Sequence, residues 1–125
     1  MVNGNQALVE GAYEAFGRGD IPAVLGILSD DVEWDVPDVL PHGRHAHGPE
    51  QVAGFFESLG AAWSDFGLDI DGVVASGDRV CVIGKATGTH DGRQTGYEWV
   101  HSWTVRDGAA VRFHEYVDPE ANLNS

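Results

Sequence analysis

Apolar residues near the start of the chain recur at helical spacing and predict two short helices. The first is predicted from the stripe Leu8, Ala12, Ala15 and Phe16. Gly17-Arg18-Gly19 predicts its end. Asp20 then suits the N-cap of a second helix that has Pro22 in its first turn, because a carboxylate there can accept a hydrogen bond from a free amide. The stripe predicted to be buried in this helix is Val24, Leu25 and Leu28.

The pattern then changes to a period of two and back to a helical one. Val32, Trp34 and Val36 alternate with acidic residues, which predicts a short strand ending at Pro37. Prolines and glycines from 37 to 48 predict an irregular loop. A third helix is predicted to begin at Pro49. Its predicted buried stripe is Val52, Phe55, Phe56, Leu59 and Trp63.

The second half of the chain has the composition of strands. They are predicted at 66–75, 79–89, 97–105 and 110–117, with turns at 76–78 and 91–93. Helices followed by a meander of strands predict an α+β fold, with the helices on one face of a curved antiparallel sheet. A chain of 125 residues is expected to form one domain, 1–125.

The last predicted hairpin carries the candidate chemistry. Side chains alternate along a strand, so Tyr97, Trp99, His101 and Trp103 share one face. A three-residue loop with Gly108 in the left-handed conformation would set His101 opposite Phe113 and Trp99 opposite Glu115. His101 and Glu115 would then be diagonal neighbours, about 7 Å apart at the backbone. Such a pair is either a site that faces a ligand or a satisfied polar pair within the packing.

Composition narrows the classes of function. The formal net charge of -13 comes from 20 acidic and 7 basic residues, and it disfavours binding to nucleic acid or to anionic membranes. No apolar run approaches the ~20 residues that span a bilayer, and the N-terminus has no signal-peptide pattern, so we expect a cytoplasmic protein. Cys81 is expected to be an inert packing thiol.

Three histidines in the predicted loop are candidate metal ligands by residue type. The spacing of His42, His45 and His47 matches no common zinc pattern. We therefore expect no metal and no cofactor, and expect these side chains to line the mouth of a cavity.

Four segments resemble the SnoaL-like polyketide cyclase branch of the nuclear-transport-factor-like superfamily. They are 13–20 (YEAFGRGD), 28–34 (LSDDVEW), 47–56 (HGPEQVAGFF) and 112–118 (RFHEYVD). The resemblance implies a cone-shaped α+β barrel, in which three helices pack on a strongly curved, mainly antiparallel sheet around a hydrophobic pocket. It also implies a homodimer formed through the outer face of the sheet, where Arg112 and His114 are expected to meet the partner or solvent.

The same resemblance implies roles for individual residues. Aligned with the ketosteroid isomerases, this chain has Val36 where those enzymes have their general base, so it departs from their mechanism. The polyketide cyclases are similar in placing a histidine and a catalytic carboxylate on the last hairpin at the spacing of His101 and Glu115. Glu115 is implied as the general base and His101 as a hydrogen-bond donor to the substrate. Asp35 is the alternative base if its strand is out of register by one residue.

The implied function is a cofactor-independent cyclase or isomerase that acts on a small, hydrophobic, carbonyl-bearing, polyketide-like substrate. The predicted substrate-binding residues are Tyr13, Trp34, Phe56, Trp63, Tyr97, Trp99, Trp103 and Phe113. These aromatic side chains could equally build a core or a dimer interface. A non-catalytic binding or dimerisation module is therefore an alternative function, and a hydrolase or hydratase that activates water is a third.

Overall fold

The computed structural model of the protein describes residues 4–118. Its helices are α1 (Gly4–Gly17), α2 (Ile21–Leu25) and α3 (Gly48–Ala62). Its strands are β1 (Leu28–Val36), β2 (Arg44–His47), β3 (Ser64–Ser76), β4 (Arg79–His90), β5 (Arg93–Arg106) and β6 (Ala109–Tyr116). The strands form a six-stranded sheet in the order β2-β1-β6-β5-β4-β3. The predicted α+β class, with three helices on a curved and mainly antiparallel sheet, is confirmed.

Local signals account for the two N-terminal helices. The carboxylate of Asp20 accepts a hydrogen bond from the backbone amide of Ala23 at 3.2 Å, as predicted for an N-cap. The second helix is shorter than its predicted stripe, because it stops at Leu25 and a turn follows at Gly26. Leu28 is the first residue of β1 and pairs with Ala110 of β6. Its burial therefore comes from the sheet and not from a helix.

Two features of the sheet depend on pairing between distant segments. The predicted loop from 37 to 48 contains the strand β2, which pairs antiparallel with β1 and places Ala46 opposite Trp34. The strand β1 also pairs with β6 in the parallel direction, and this is the exception in an otherwise antiparallel sheet. Neither pairing can be read from local composition, because both join segments that are not neighbours in sequence.

The last hairpin differs from its predicted register by two residues. Asp107 (φ 52°) and Gly108 (φ 77°) both adopt left-handed conformations, so the loop has two residues and Arg106 pairs with Ala109. A β-bulge then shifts the pairing between Thr104 and Val105 by one more residue. A shift of two keeps every side chain on its predicted face.

The shift changes the candidate pair. His101 and Glu115 lie directly opposite each other, and Trp103 lies opposite Phe113. The predicted diagonal contact of His101 and Glu115 is therefore a direct cross-strand contact, which brings the two side chains closer together than predicted.

The concave face of the sheet is apolar and packs under the helices. Its buried residues include Trp34, Val82, Trp99, Trp103 and Phe113. Within residues 4–118, no helix is both long enough and apolar enough to cross a membrane.

Candidate functional site

A cavity lies between the helices and the concave face of the sheet. Its volume is about 60 Å³, counted as the space open to the centre of a water molecule. Its walls are Ala12, Tyr13, Phe16, Val24, Trp34, His42, Phe55, Phe56, Leu59, Phe66, Leu68, Tyr97, His101, Trp103, Phe113 and Glu115. One water needs about 10–15 Å³ on this measure. The cavity therefore has room for a compact ring and not for a chain of fused rings.

The walls contain one carboxylate, that of Glu115, and one of its two oxygens has no partner. Glu115 is 4% exposed, and its Oε1 lies 3.5 Å from His101 Nε2. Its Oε2 is buried and has no hydrogen-bond partner among the described residues. An unpaired buried carboxylate oxygen is costly in an apolar setting. A group that fills the cavity and carries a hydrogen-bond donor or a transferable proton would satisfy this oxygen.

A chain of hydrogen bonds fixes the orientation of His101. Trp103 Nε1–H donates to Tyr13 Oη at 2.9 Å, and Tyr13 Oη lies 2.6 Å from His101 Nδ1. Burial is the main cause that raises the pKa of Tyr13, so its hydroxyl keeps its proton. Because Tyr13 Oη already accepts from the indole N–H, its own proton is available to His101 Nδ1. An arrangement in which Tyr13 donates to His101 Nδ1 leaves the ring proton on Nε2, the nitrogen that faces Glu115.

A second chain of hydrogen bonds runs along another wall of the cavity. Trp63 Nε1–H donates to His42 Nδ1 at 3.0 Å, and His42 Nε2 lies 3.3 Å from Tyr97 Oη. Burial lowers the pKa of His42 from 6.5 to about 4, although the charge of Glu115 opposes this shift. The imidazole of His42 is therefore neutral at pH 7.

Six of the eight predicted substrate-binding residues line the cavity. They are Tyr13, Trp34, Phe56, Tyr97, Trp103 and Phe113. Trp63 and Trp99 do not line it, so the prediction that they form part of the pocket wall is wrong. The ring of Trp99 stacks on the ring of His101 with a centroid distance of 3.8 Å, and Trp63 packs among the rings of His42 and Tyr97. Both tryptophans lie behind polar groups of the wall.

Asp35 lies on the opposite face of the sheet from the cavity. Its carboxylate contacts the rings of His45 and His114 and lies 3.9 Å from the guanidinium of Arg112. The slip of one residue that would have turned Asp35 inward does not occur, because Trp34 and Val36 are buried on the concave side. The prediction that Asp35 could face the cavity as an alternative base is therefore wrong. Arg112 and His114 lie on the outer face, as predicted.

The three loop histidines separate into two environments. His45 and His47 are exposed on the outer face beside Glu33, so their expected place at the mouth of a cavity is wrong. His42 is buried and lines the cavity, and sequence reasoning missed its contacts. Gly43 permits this placement, since a Cβ there would lie 2.2 Å from the carbonyl oxygen of Pro37. Within residues 4–118, no group of three or more side chains is arranged to bind a metal ion.

Comparison with known proteins identifies a family and crystal structures of the same fold. A model of the SnoaL-like domain matches residues 9–113. No curated protein matches the sequence. The crystal structure of an NTF2-like protein of unknown function from Burkholderia pseudomallei is 34% identical, with a TM-score of 0.87 over 94% of this chain and 93% of that chain.

Two further crystal structures are 28% identical to this chain. One is TerC co-crystallised with polyporic acid, with a TM-score of 0.84 over 93% of this chain and 92% of that chain. The other is a candidate polyketide cyclase from Xanthomonas campestris, with a TM-score of 0.79 over 92% of this chain and 90% of that chain.

Proposed function

The chain belongs to the SnoaL-like domain family, and on that premise we propose that it is a cofactor-independent cyclase or isomerase with Glu115 as its general base. The observation that carries the proposal is the unpaired Oε2 of Glu115 at the wall of an apolar cavity. A relative that was co-crystallised with polyporic acid supports a cavity for small organic molecules. The substrate we propose is a compact, hydrophobic compound with an enolisable carbonyl group.

The proposed reaction begins with proton transfer to Glu115. The Oε2 atom takes a proton from the carbon next to the carbonyl, and the electron pair of that C–H bond forms an enolate. In an isomerisation, Glu115 returns the proton to another carbon. In a cyclisation, the enolate carbon bonds to a second carbonyl carbon, and the resulting alkoxide takes the proton back from Glu115.

His101 is proposed to stabilise the charge that forms on the substrate oxygen. Its Nε2 lies 3.5 Å from Glu115 Oε1, which is longer than a normal hydrogen bond. The Nε2–H group is thus available to a substrate oxygen at the same end of the cavity. Removing one such donor from a dry site typically costs about 10²–10³-fold in rate.

Deuterium exchange tests the proposal without knowledge of the natural substrate. Single-ring ketones such as cyclohexanone and acetophenone are incubated with the protein in D₂O, and loss of their α-hydrogen signals is followed by proton NMR. We expect exchange to be faster with the parent than in buffer, and Glu115→Gln to slow it by about 10²–10⁴-fold. Asp35→Asn should not slow it, because Asp35 lies on the other face.

Two outcomes would contradict this assignment. Exchange that survives Glu115→Gln and disappears in Asp35→Asn would move the base to Asp35. A parent that binds these ketones, as seen from its tryptophan fluorescence, and exchanges none of them would favour the non-catalytic binding module.

A further inference from the structure

The second polar wall of the cavity, formed by His42 and Tyr97 with Trp63 behind them, is not used by the proposed proton transfer. Tyr97 lines the cavity on the same face of β5 as His101. The two residues are four positions apart along the strand, which corresponds to about 13 Å between their Cα atoms. A ligand would therefore meet them with different parts of its structure.

The direction of the hydrogen bonds in this wall follows from the indole group. The Nε1–H of Trp63 can only donate, so Nδ1 of His42 must accept. In the neutral imidazole the proton is then on Nε2, which donates it to Tyr97 Oη at 3.3 Å. Tyr97 receives this bond as an acceptor and keeps its own hydroxyl proton for another partner.

The hydroxyl of Tyr97 remains a phenol at neutral pH. Burial raises the pKa of Tyr97, and the charge of Glu115 raises it further. Because Tyr97 lines the cavity, a ligand inside the cavity can offer this proton an acceptor. The cavity thus offers an acceptor, Glu115 Oε2, and a donor, Tyr97 O–H, on different parts of its wall.

We propose that Tyr97 donates a hydrogen bond to a second oxygen of the substrate, and that His42 and Trp63 are positioning residues that aim this donor. The inference rests on the proposed function and narrows its substrate class. The substrate is a single ring or similarly compact skeleton with two oxygen groups, one at the Glu115 end and one acceptor oxygen at the Tyr97 end. A compound with one oxygen group would leave either Glu115 or Tyr97 without a polar partner.

Two ligands that differ in one acceptor oxygen, together with the conservative variant Tyr97→Phe, test this proposal directly. The phenol group of both 4-ethylphenol and 4-hydroxyacetophenone can donate to Glu115 Oε2, but the second compound alone carries an acceptor oxygen at its far end. Affinities of both probes are measured by calorimetry for the parent and for Tyr97→Phe. We expect the acetyl compound to be favoured by about 2- to 10-fold more in the parent than in Tyr97→Phe, which is the range of one neutral hydrogen bond.

The matched control is Tyr116→Phe, which removes a phenol hydroxyl from the outer face, where Tyr116 is 55% exposed. It should leave the ratio of affinities unchanged. A ratio that is equal in the parent and in Tyr97→Phe overturns the inference. That result leaves the role of Glu115 intact, because deuterium exchange measures that role separately.

The tautomer of His42 provides an independent measurement. Nitrogen-15 NMR of the parent at pH 7 should show the proton on Nε2 and an unprotonated Nδ1. A proton on Nδ1 would mean that Nε2 accepts from Tyr97, which would turn the hydroxyl proton away from the cavity and overturn the assignment.

Discussion

Acidification is expected to destabilise the protein through His42. The neutral imidazole is buried and hydrogen-bonded on both nitrogens, and burial lowers its pKa from 6.5 to about 4. Between these pH values the unfolded chain binds a proton that the folded protein excludes. The stability supplied by neutral His42 is therefore complete above pH 6.5 and is lost as the pH falls towards 4.

The size of the effect follows from the same two values. One pKa unit corresponds to about 1.4 kcal/mol, so the contribution of His42 falls by about 2 kcal/mol at pH 5 and by about 3 kcal/mol at pH 4, relative to pH 7.5. With a urea dependence of about 1–3 kcal/mol per molar, the loss at pH 5 lowers the unfolding midpoint by roughly 1 M.

Urea unfolding followed by tryptophan fluorescence at pH 7.5, 6 and 5 is the assay. The informative variant is His42→Gln, since an amide can accept from Trp63 and donate to Tyr97 but does not titrate. We expect the free energy of unfolding of the parent to fall relative to that of His42→Gln as the pH is lowered. The control is His47→Gln, because the side chain of His47 is 58% exposed. Parallel pH profiles for the parent and His42→Gln would refute the reasoning.

Two further predictions concern the sheet and its packing. Ile83 and Tyr116 are 42% and 55% exposed on the outer face, and we expect a homodimer to form through this face. Light scattering should show a dimer for the parent and a monomer for Ile83→Lys. A monomeric parent would contradict the prediction. Gly84→Ala should destabilise by about 1–3 kcal/mol, because its Cβ would lie 2.3 Å from the carbonyl oxygen of Asp69. Gly60→Ala in α3 has open space and should stabilise by up to about 1 kcal/mol; equal effects of the two changes on thermal unfolding would refute this packing argument.

Local pattern was sufficient for most elements of the fold. The apolar stripe of α3 and the N-cap at Asp20 are short-range signals. The N-cap is confirmed, and so is the burial of Val52, Phe55 and Leu59, whereas Trp63 follows the helix as its C-cap. The face shared by His101 and Trp103 follows from strand alternation alone and is likewise confirmed. The register was wrong because it depends on whether Asp107 adopts a left-handed conformation. A three-residue loop with Gly108 alone in that conformation was an equally regular solution.

Contacts between segments that are far apart in the chain could not be predicted from the sequence. Tyr13 and His101 are separated by 88 positions, and His42 and Tyr97 by 55. The helical stripe did not reveal whether Tyr13 would face the cavity, and the loop containing His42 carried no periodicity at all. These partners meet because the sheet and the helices bring their elements together, so the polar walls become visible in three dimensions.

The tryptophans of this chain support a general argument about such cavities. They were predicted as flat walls, yet Trp63 does not line the cavity, and Trp103 contributes a directed N–H in addition to its surface. An indole N–H cannot accept, so Trp63 and Trp103 each fix the role of the group that they contact as an acceptor. A phenylalanine in either place would keep much of the packing and would leave the histidine beyond it free to change tautomer. The direction of the donors at this site is therefore determined by residues that lie partly or wholly behind its surface.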